Sequence, residues 1–288
     1  MPNEINSMHY SRNGDLLGVV TDNFFAVMKG CNDNLTFTKT CNGLGADNLQ
    51  FTHENKLLFT TKEKFVGARI LDMEIGIFIT KFSYAKNFRS LSISSEPFVF
   101  ATTADNEKIN VWDERSATAI DSVKMQGNGV VKCFPRSTTI FVVTTSGIFL
   151  YDRRNLTKNA FAAYDIPGYS ANCHVDIAVN CENILVADQK NVTLFELENM
   201  KPVRKYGPFT GSDSEKFGCC FNINGQLLLV GNAESIIHVY DAKSNNRLYT
   251  LTHVNPVHST VSNILVNGLY MKMSSSAGKQ LDIWQIPE

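Results

Sequence analysis

An all-β, seven-bladed propeller is the fold that this sequence predicts, and three observations predict it. Short apolar runs close on an aromatic residue and an acid at Trp112-Asp113, Tyr151-Asp152, Phe195-Glu196 and Tyr240-Asp241, with Ile70-Leu71-Asp72 and Ile283-Trp284-Gln285 in the same phase. The spacings from Asp72 through to Gln285 are 41, 39, 44, 45 and 44 residues. Within the intervals the apolar runs come in fours between Gly, Asn, Asp and Ser clusters, and no stretch sustains a helical period. A repeat of roughly 40–45 residues with four strands per unit is the mark of a propeller blade. A blade cannot bury its faces alone, so residues 1–288 are expected to form one domain of stacked blades.

The strands follow in order. Blade one takes Ile5–Tyr10, Leu16–Thr21, Phe24–Met28 and Leu35–Thr40; blade two takes Asn48–Thr52, Lys56–Thr61, Phe65–Leu71 and Gly76–Phe82. Blade three, the clearest, takes Ser90–Ser94, Phe98–Thr103, Ile109–Trp112 and Ala119–Lys124. Blade four is Val130–Phe134, Ile140–Thr145, Ile148–Tyr151 and Phe161–Tyr164. Val175–Val179, Ile184–Ala187, Val192–Leu197 and Val203–Tyr206 make the fifth, and Gly218–Asn222, Gln226–Gly231, Ile236–Tyr240 and Leu248–Leu251 the sixth. The last unit holds only Ser262–Val266, Leu269–Ser274 and Leu281–Trp284, for a total of 27 strands.

The missing outer strand would ordinarily come from residues ahead of blade one. Met1–Glu4 are too few for a strand of typical length. The strand holding Leu281 and Ile283 is therefore expected to be an open edge, able to pair with another chain. Two other readings stay open: Pro287 and Glu288 blunt the edge, or a longer N-terminus supplies the strand.

The recurring aromatic should pack between neighbouring sheets, and the acid should bond the backbone of its turn, as should Asp22, Asp105 and Asp188 ahead of third strands. The pattern is that of WD repeats, yet the Gly-His dipeptide typical of them is absent from every unit. The usual His-to-Asp network is then expected to be largely lost, leaving apolar packing to hold the blades together.

No 18-residue apolar stretch crosses a membrane as a helix, and Met1-Pro2-Asn3-Glu4-Ile5 is not a signal peptide. Seven cysteines, an odd number lying mostly in strand-like runs, point to a reducing cytosolic or nuclear setting. Cys173-His174 with Cys181 is the one cluster resembling metal-ligand spacing, and it lacks a second close pair. Nucleophile-elbow, metalloprotease and phosphate-loop motifs are all absent, and the six histidines are scattered. A non-catalytic protein without metal or cofactor is expected.

Net charge is −1, which argues against direct nucleic-acid binding. Residues 56–160 nevertheless carry 15 Lys or Arg against 10 Asp or Glu, a balance of +5, while the remainder stands at −6. Lys62, Lys64, Lys86, Arg89, Lys132 and Arg136 fall in or near connecting loops of this basic sector. A phosphorylated or acidic peptide could gain charge-assisted bonds there; the alternative is an ordinary solvated surface.

Several runs carry a family resemblance. Gln50-Phe51-Thr52-His53, the stretch from Ile109 through Trp112-Asp113-Glu114-Arg115-Ser116 to Met125-Gln126-Gly127, and Leu150-Tyr151-Asp152-Arg153-Arg154 resemble one WD-repeat family, as do Ile237–Asp241 and Ile283–Pro287. It is the family of the subunit shared by the Set-type histone methyltransferase complex COMPASS and by messenger-RNA 3′-end processing and protein phosphatase 1 complexes. The resemblance covers roughly residues 45–165 and 217–287. It implies a scaffold of the nucleus, with the cytoplasm as a second location, that acts as a monomeric propeller within a complex. The implied partners are the methyltransferase's catalytic subunit, a phosphatase-targeting scaffold or 3′-end factors, and the serine-phosphorylated tail of RNA polymerase II. A rival reading is a substrate receptor of a cullin-type ubiquitin ligase, since Trp112-Asp113-Glu114-Arg115 and Tyr151-Asp152-Arg153-Arg154 resemble its adaptor-docking box. Arg115 and Arg154 would contact the adaptor in that case; in the structural reading they bond neighbouring turns.

Overall fold

A computed structural model describes residues 1–29, 36–61, 67–84, 86–105, 107–164, 169, 173–188, 190–209, 217–254, 259–267 and 272–285. The fold class is an all-β, seven-bladed propeller: seven antiparallel sheets and, among the described residues, a single 3-10 turn at Leu156–Lys158. The chain divides into two compact units, Asn6–Ala171 and Met1–Ile5 with Asn172–Glu288.

The first unit holds four sheets. Strands β1 (Ile5–Tyr10, entering from the unit boundary), β2 (Leu16–Thr21), β3 (Phe24–Lys29) and β4 (Thr36–Asn42) make the first. The second is β5 (Leu49–Phe51), β6 (Leu57–Thr61), β7 (Gly67–Leu71) and β8 (Phe78–Ser83). The third is β9 (Phe88–Ile93), β10 (Val99–Ala104), β11 (Lys108–Asp113) and β12 (Ala119–Lys124), and the fourth β13 (Gly129–Cys133), β14 (Thr139–Thr144), β15 (Gly147–Asp152) and β16 (Ala162–Tyr164). Each sheet is a meander of consecutive strands. The middle strands are buried on both faces, as in β10 and β6, whereas the outer β12 alternates between half-buried and exposed. That gradient explains why second strands read as unbroken apolar runs and fourth strands as weak ones.

The second unit holds two four-stranded sheets: β17 (His174–Ile177), β18 (Asn183–Ala187), β19 (Val192–Glu196) and β20 (Lys201–Tyr206), then β21 (Cys219–Phe221), β22 (Leu227–Gly231), β23 (Ile236–Asp241) and β24 (Arg247–Thr252). Its third sheet has three strands, β25 (Val261–Asn267), β26 (Lys272–Ala277) and β27 (Gln280–Gln285). The described strands number 27, and the three-stranded sheet is the last, as the sequence predicts. Boundaries agree or shift by up to three residues, with the largest change at the end of β26, Ala277 rather than Ser274; its expected start at Leu269 lies outside the described residues.

Apolar clusters fill the spaces between adjacent sheets. Trp112 packs with Phe82, Phe88, Phe100, Leu58 and Ile70 between the second and third sheets, and Tyr151 with Val111, Val131 and Leu156 between the third and fourth. The aromatic of the repeat therefore does pack between blades.

Polar bonding between blades is richer than the sequence suggests. First strands of neighbouring sheets are tied side chain to backbone, one repeat apart. Gln50 Nε2 donates to Leu91 O at 3.0 Å, and Ile93 N donates to Gln50 Oε1 at 2.7 Å. Ser90 Oγ bonds both backbone groups of Val131, at 3.3 and 3.1 Å, and Ser92 Oγ accepts from Cys133 N at 2.9 Å. His9 Nδ1 accepts from Phe51 N at 3.3 Å, and in the other unit Asp176 accepts from Phe221 N at 3.0 Å. Short side chains on a first strand can reach the next backbone, so these blades are stitched as well as packed. Gln50→Ala strands one donor and one acceptor and is expected to cost about 2 kcal/mol in denaturant unfolding; a change within error would show the amide bridge to be dispensable.

The His-to-Asp network also survives in one place. Trp284 Nε1 donates to Ser275 Oγ (2.7 Å), Ser275 Oγ bonds His253 Nε2 (3.1 Å), and His253 Nδ1 lies 2.8 Å from Asp282. His253 follows Thr252 rather than glycine, which hid it from a search for Gly-His. Burial holds its pKa below the ordinary range against the pull of Asp282, so the imidazole is neutral at pH 7. In the third sheet only the Trp112 Nε1 to Thr102 Oγ1 bond of this pattern appears, at 2.9 Å.

Candidate interaction surfaces

The aspartates of four repeats are consumed by their own turns, whereas Glu196 accepts instead from the Asn199 side chain. Asp72 Oδ1 accepts from Glu74 N and Ile75 N, Asp113 Oδ1 from Arg115 N, Asp152 Oδ1 from Arg154 N, and Asp241 Oδ1 from Lys243 N. Asp188 Oδ1 does the same ahead of β19, for Lys190 N and Asn191 N. A carboxylate two residues before an amide closes an Asx turn, which is why an acid recurs where a third strand ends.

Arg115 and Arg154 complete the same turns. Arg115 meets Asp113 through Nε (2.8 Å) and NH2 (2.6 Å), and its guanidinium lies 4.8 Å over the Phe98 ring. Arg154 meets Asp152 through Nε (3.1 Å) and NH2 (2.7 Å). The paired guanidiniums hold both carboxyls below the usual carboxylate range. This is the turn-bonding role expected on the structural reading, although each arginine bonds its own turn rather than a neighbouring one. Both guanidiniums remain largely exposed, so the pairs contribute little to stability.

The basic residues of the first unit do not converge. In a meander, first-to-second and third-to-fourth connections share one end of a sheet, and second-to-third connections lie at the other. Arg115, Arg136, Arg154 and the end of β13 with Lys132 fall at the first end; Lys86 and Arg89 fall at the second. Arg89 pairs with Asp105 at 2.6 Å. Lys86 and Arg136 are exposed. Lys62 and Lys64 lie outside the described residues.

The first end is continuous across the four sheets. Arg12 NH1 bonds His53 Nδ1 and His53 Nε2 bonds Ser94 O, both at 2.8 Å; Ser95 Oγ donates to Ser137 O, and Arg153 pairs with Glu96. Glu114 is buried beside this end at 6% exposure, with Oε1 unpaired. Its pKa is pushed up to about 7 by desolvation, then by Glu54, against the opposing pull of Lys56.

An exposed apolar patch escaped the sequence reading. Ile75, Ile77, Phe78 and Ile79 on the β7–β8 connection and β8 are 63, 55, 43 and 42% exposed, and Phe37 on β4 is 60% exposed. Lys39 Nζ donates to Met73 O, which brings β4 to that connection. Ile77-Phe78-Ile79 breaks the alternation proper to an outer strand, and that was the available signal.

Leu281 and Ile283 lie half-buried on β27, whose far side has no neighbouring strand among the described residues. Among those residues no group of three His, Cys, Asp or Glu side chains could hold a metal ion, and no helix is long and apolar enough to cross a membrane. No protein-family model matches the chain.

Proposed function

We propose that this chain is a non-catalytic scaffold, a nuclear WD-repeat subunit of a histone methyltransferase complex, of 3′-end processing and phosphatase complexes, or of both. One observation carries the reading: the chain's recurrent polar side chains are committed to its own turns and blade contacts, from Asp72, Asp113, Asp152 and Asp241 to Gln50, Ser90 and His253. What remains for function is surface: a continuous end of connecting loops, an apolar patch and one sheet edge. Propellers present such surfaces to protein partners. The runs around Trp112-Asp113-Glu114-Arg115 and Tyr151-Asp152-Arg153-Arg154 supply the particular family.

Purification of the tagged full chain from its native cells, followed by mass spectrometry, tests this reading. A Set-type catalytic subunit, a phosphatase-targeting scaffold or 3′-end factors are the expected companions. A cullin adaptor in their place would establish the ligase-receptor alternative. The polymerase-tail element is tested separately by titrating phosphorylated against unmodified tail peptide. Arg136 and Lys86 are the exposed cations for it, on opposite ends of their sheets, so tighter binding of the phosphorylated form should be lost in only one of Arg136→Glu and Lys86→Glu. Equal affinity for both peptides removes the polymerase element.

A further inference from the structure

We propose that β27 is completed in trans by an extended segment of a partner protein, running antiparallel to it, with an apolar anchor opposite Leu281 and a cation opposite Asp282. The inference deepens the scaffold reading and rests on it. Gly278 and Lys279 form a two-residue hairpin loop, so Ala277 and Gln280 are its bonded closing pair. Alternation then gives Ser275–Asp282 and Met273–Trp284 the bonds between β26 and β27. The backbone groups of Leu281, Ile283 and Gln285 point to the outer side. No described strand pairs with that side, and the chain ahead of β1 meets the hairpin tip, where the Met1 ammonium donates to Lys279 O (2.8 Å) and Ile5 N to Gly278 O (2.9 Å).

The six complete sheets specify the chemistry of the missing strand. Opposite the position of Leu281, their fourth strands place Cys41, Phe82, Val123, Tyr164, Tyr206 and Leu251, paired with Phe25, Ala68, Ile109, Ile148, Val192 and Ile237. Every one is apolar or aromatic, so the site wants an anchor of that kind. Opposite the position of Asp282 two of the six place a lysine, Lys81 against Arg69 and Lys205 against Thr193. Asp282 is the only charge on β27. Its carboxylate already accepts from Gln280 Nε2 and Val254 N beside the neutral His253, so its negative charge is uncompensated there. A cation opposite it adds charge complementarity to an existing network.

The edge is also undefended. All the fourth strands except β16 carry lysine or arginine, the residues that discourage edge pairing. β27, which has no strand beyond it among the described residues, has none. Cations sit on strands that are already the finished rim of a sheet, and the strand still awaiting a neighbour lacks them, which favours a built docking edge over a blunted one.

The test uses the full chain and a capped peptide copying β8, Phe-Ile-Thr-Lys-Phe-Ser, which places its second phenylalanine opposite Leu281 and its lysine opposite Asp282. Amide hydrogen exchange is read by NMR. At saturating peptide the Leu281, Ile283 and Gln285 amides should slow by about tenfold or more. Ile283→Pro removes an outward N–H that the fold does not use, and should abolish the effect. If that variant fails to fold, Leu281→Asp replaces it and should weaken binding at least tenfold. No slowing, equal slowing by a peptide with Glu and Ser at the two anchor positions, or slowing unaffected by either variant overturns the proposal. So does concentration-dependent slowing in the chain alone with a doubled mass, which would make the occupant a second copy. Partners that co-purify while the peptide leaves these amides unchanged refute the edge and leave the scaffold standing; a seated peptide with no co-purifying partner does the reverse.

Discussion

Trp112→Ala is expected to lower stability by about 4 kcal/mol, the upper range for emptying an aromatic site in a packed interior. Trp112 is 2% exposed and touches four rings: Phe82 at 5.7 Å, Phe88 at 5.7 Å, Tyr84 at 6.0 Å and Phe100 at 6.1 Å between centroids. Phe100 lies nearly parallel to it, and the others meet it edge-on. The substitution removes the indole surface and orphans the fully buried Thr102 hydroxyl, which the indole N–H now satisfies. Trp112→Phe keeps most of the surface and loses only the bond, so about 2 kcal/mol is expected. Midpoints of chemical denaturation order the two variants; an alanine loss below that of phenylalanine would contradict the packing account. The effect should reach beyond one sheet, because Phe82 and Tyr84 come from the second sheet's side and Phe88 and Phe100 from the third.

Glu114→Gln is expected to stabilise the protein above pH 7 by on the order of 3 kcal/mol and to steepen a pH dependence that Glu114 offsets in part in the wild type. Burial raises the Glu114 carboxyl from 4.5 to about 7 in the fold. A raised folded pKa means stability that is complete below pH 4.5 and is lost as pH climbs through 7. His9 runs the other way: burial, assisted by Lys132, lowers it from 6.5 to about 4. Its contribution is complete above pH 6.5 and is lost as pH falls through 4. Between pH 4.5 and 6.5 the slopes of Glu114 and His9 oppose, so the wild type should gain stability with pH less steeply than its buried histidines alone would dictate. With Glu114 neutralised, stability should rise across that window, with His238 and His253 adding to the rise because burial lowers both. Denaturation midpoints at pH 4.5, 6.5 and 8 measure this. A Glu114→Gln profile parallel to the wild type would mean that Glu114 keeps an ordinary pKa.

The blade pattern was legible because it is local. Second and third strands such as Val99–Ala104 and Lys108–Asp113 read as apolar runs, since both faces are covered, and Asp113 and Asp152 marked turns because an Asx turn is a matter of two or three residues. The stitching of Gln50 to Leu91 and Ile93, or Ser90 to Val131, was not legible: a Gln or Ser on a strand looks the same whether its partner is water or a backbone forty residues away. His253 was missed for a related reason, because its role depends on Ser275 and Asp282 rather than on the residue before it.

The candidate surfaces divide along the same line. Counting charges over residues 56–160 found an excess of lysine and arginine, but pairing is a property of space. Arg89, Arg115 and Arg154 each sit against a carboxylate, and the cations lie at two ends of their sheets. The buried Glu114 needed coordinates, since burial depends on what stands opposite, whereas the exposed Ile75–Ile79 stretch left a trace in the broken alternation of Ile77-Phe78-Ile79.

By itself the amino-acid order determined the all-β class, seven units and a final sheet one strand short, because alternation, turn chemistry and repeat length act within a few residues or recur at a fixed interval. Tertiary structure alone decided which polar groups bind one another across blades, which charges are already neutralised, and which backbone groups of β27 face outward. Those outcomes depend on which residues meet across sheets and on the phase of a hydrogen-bond ladder, and neither is written in neighbouring residues.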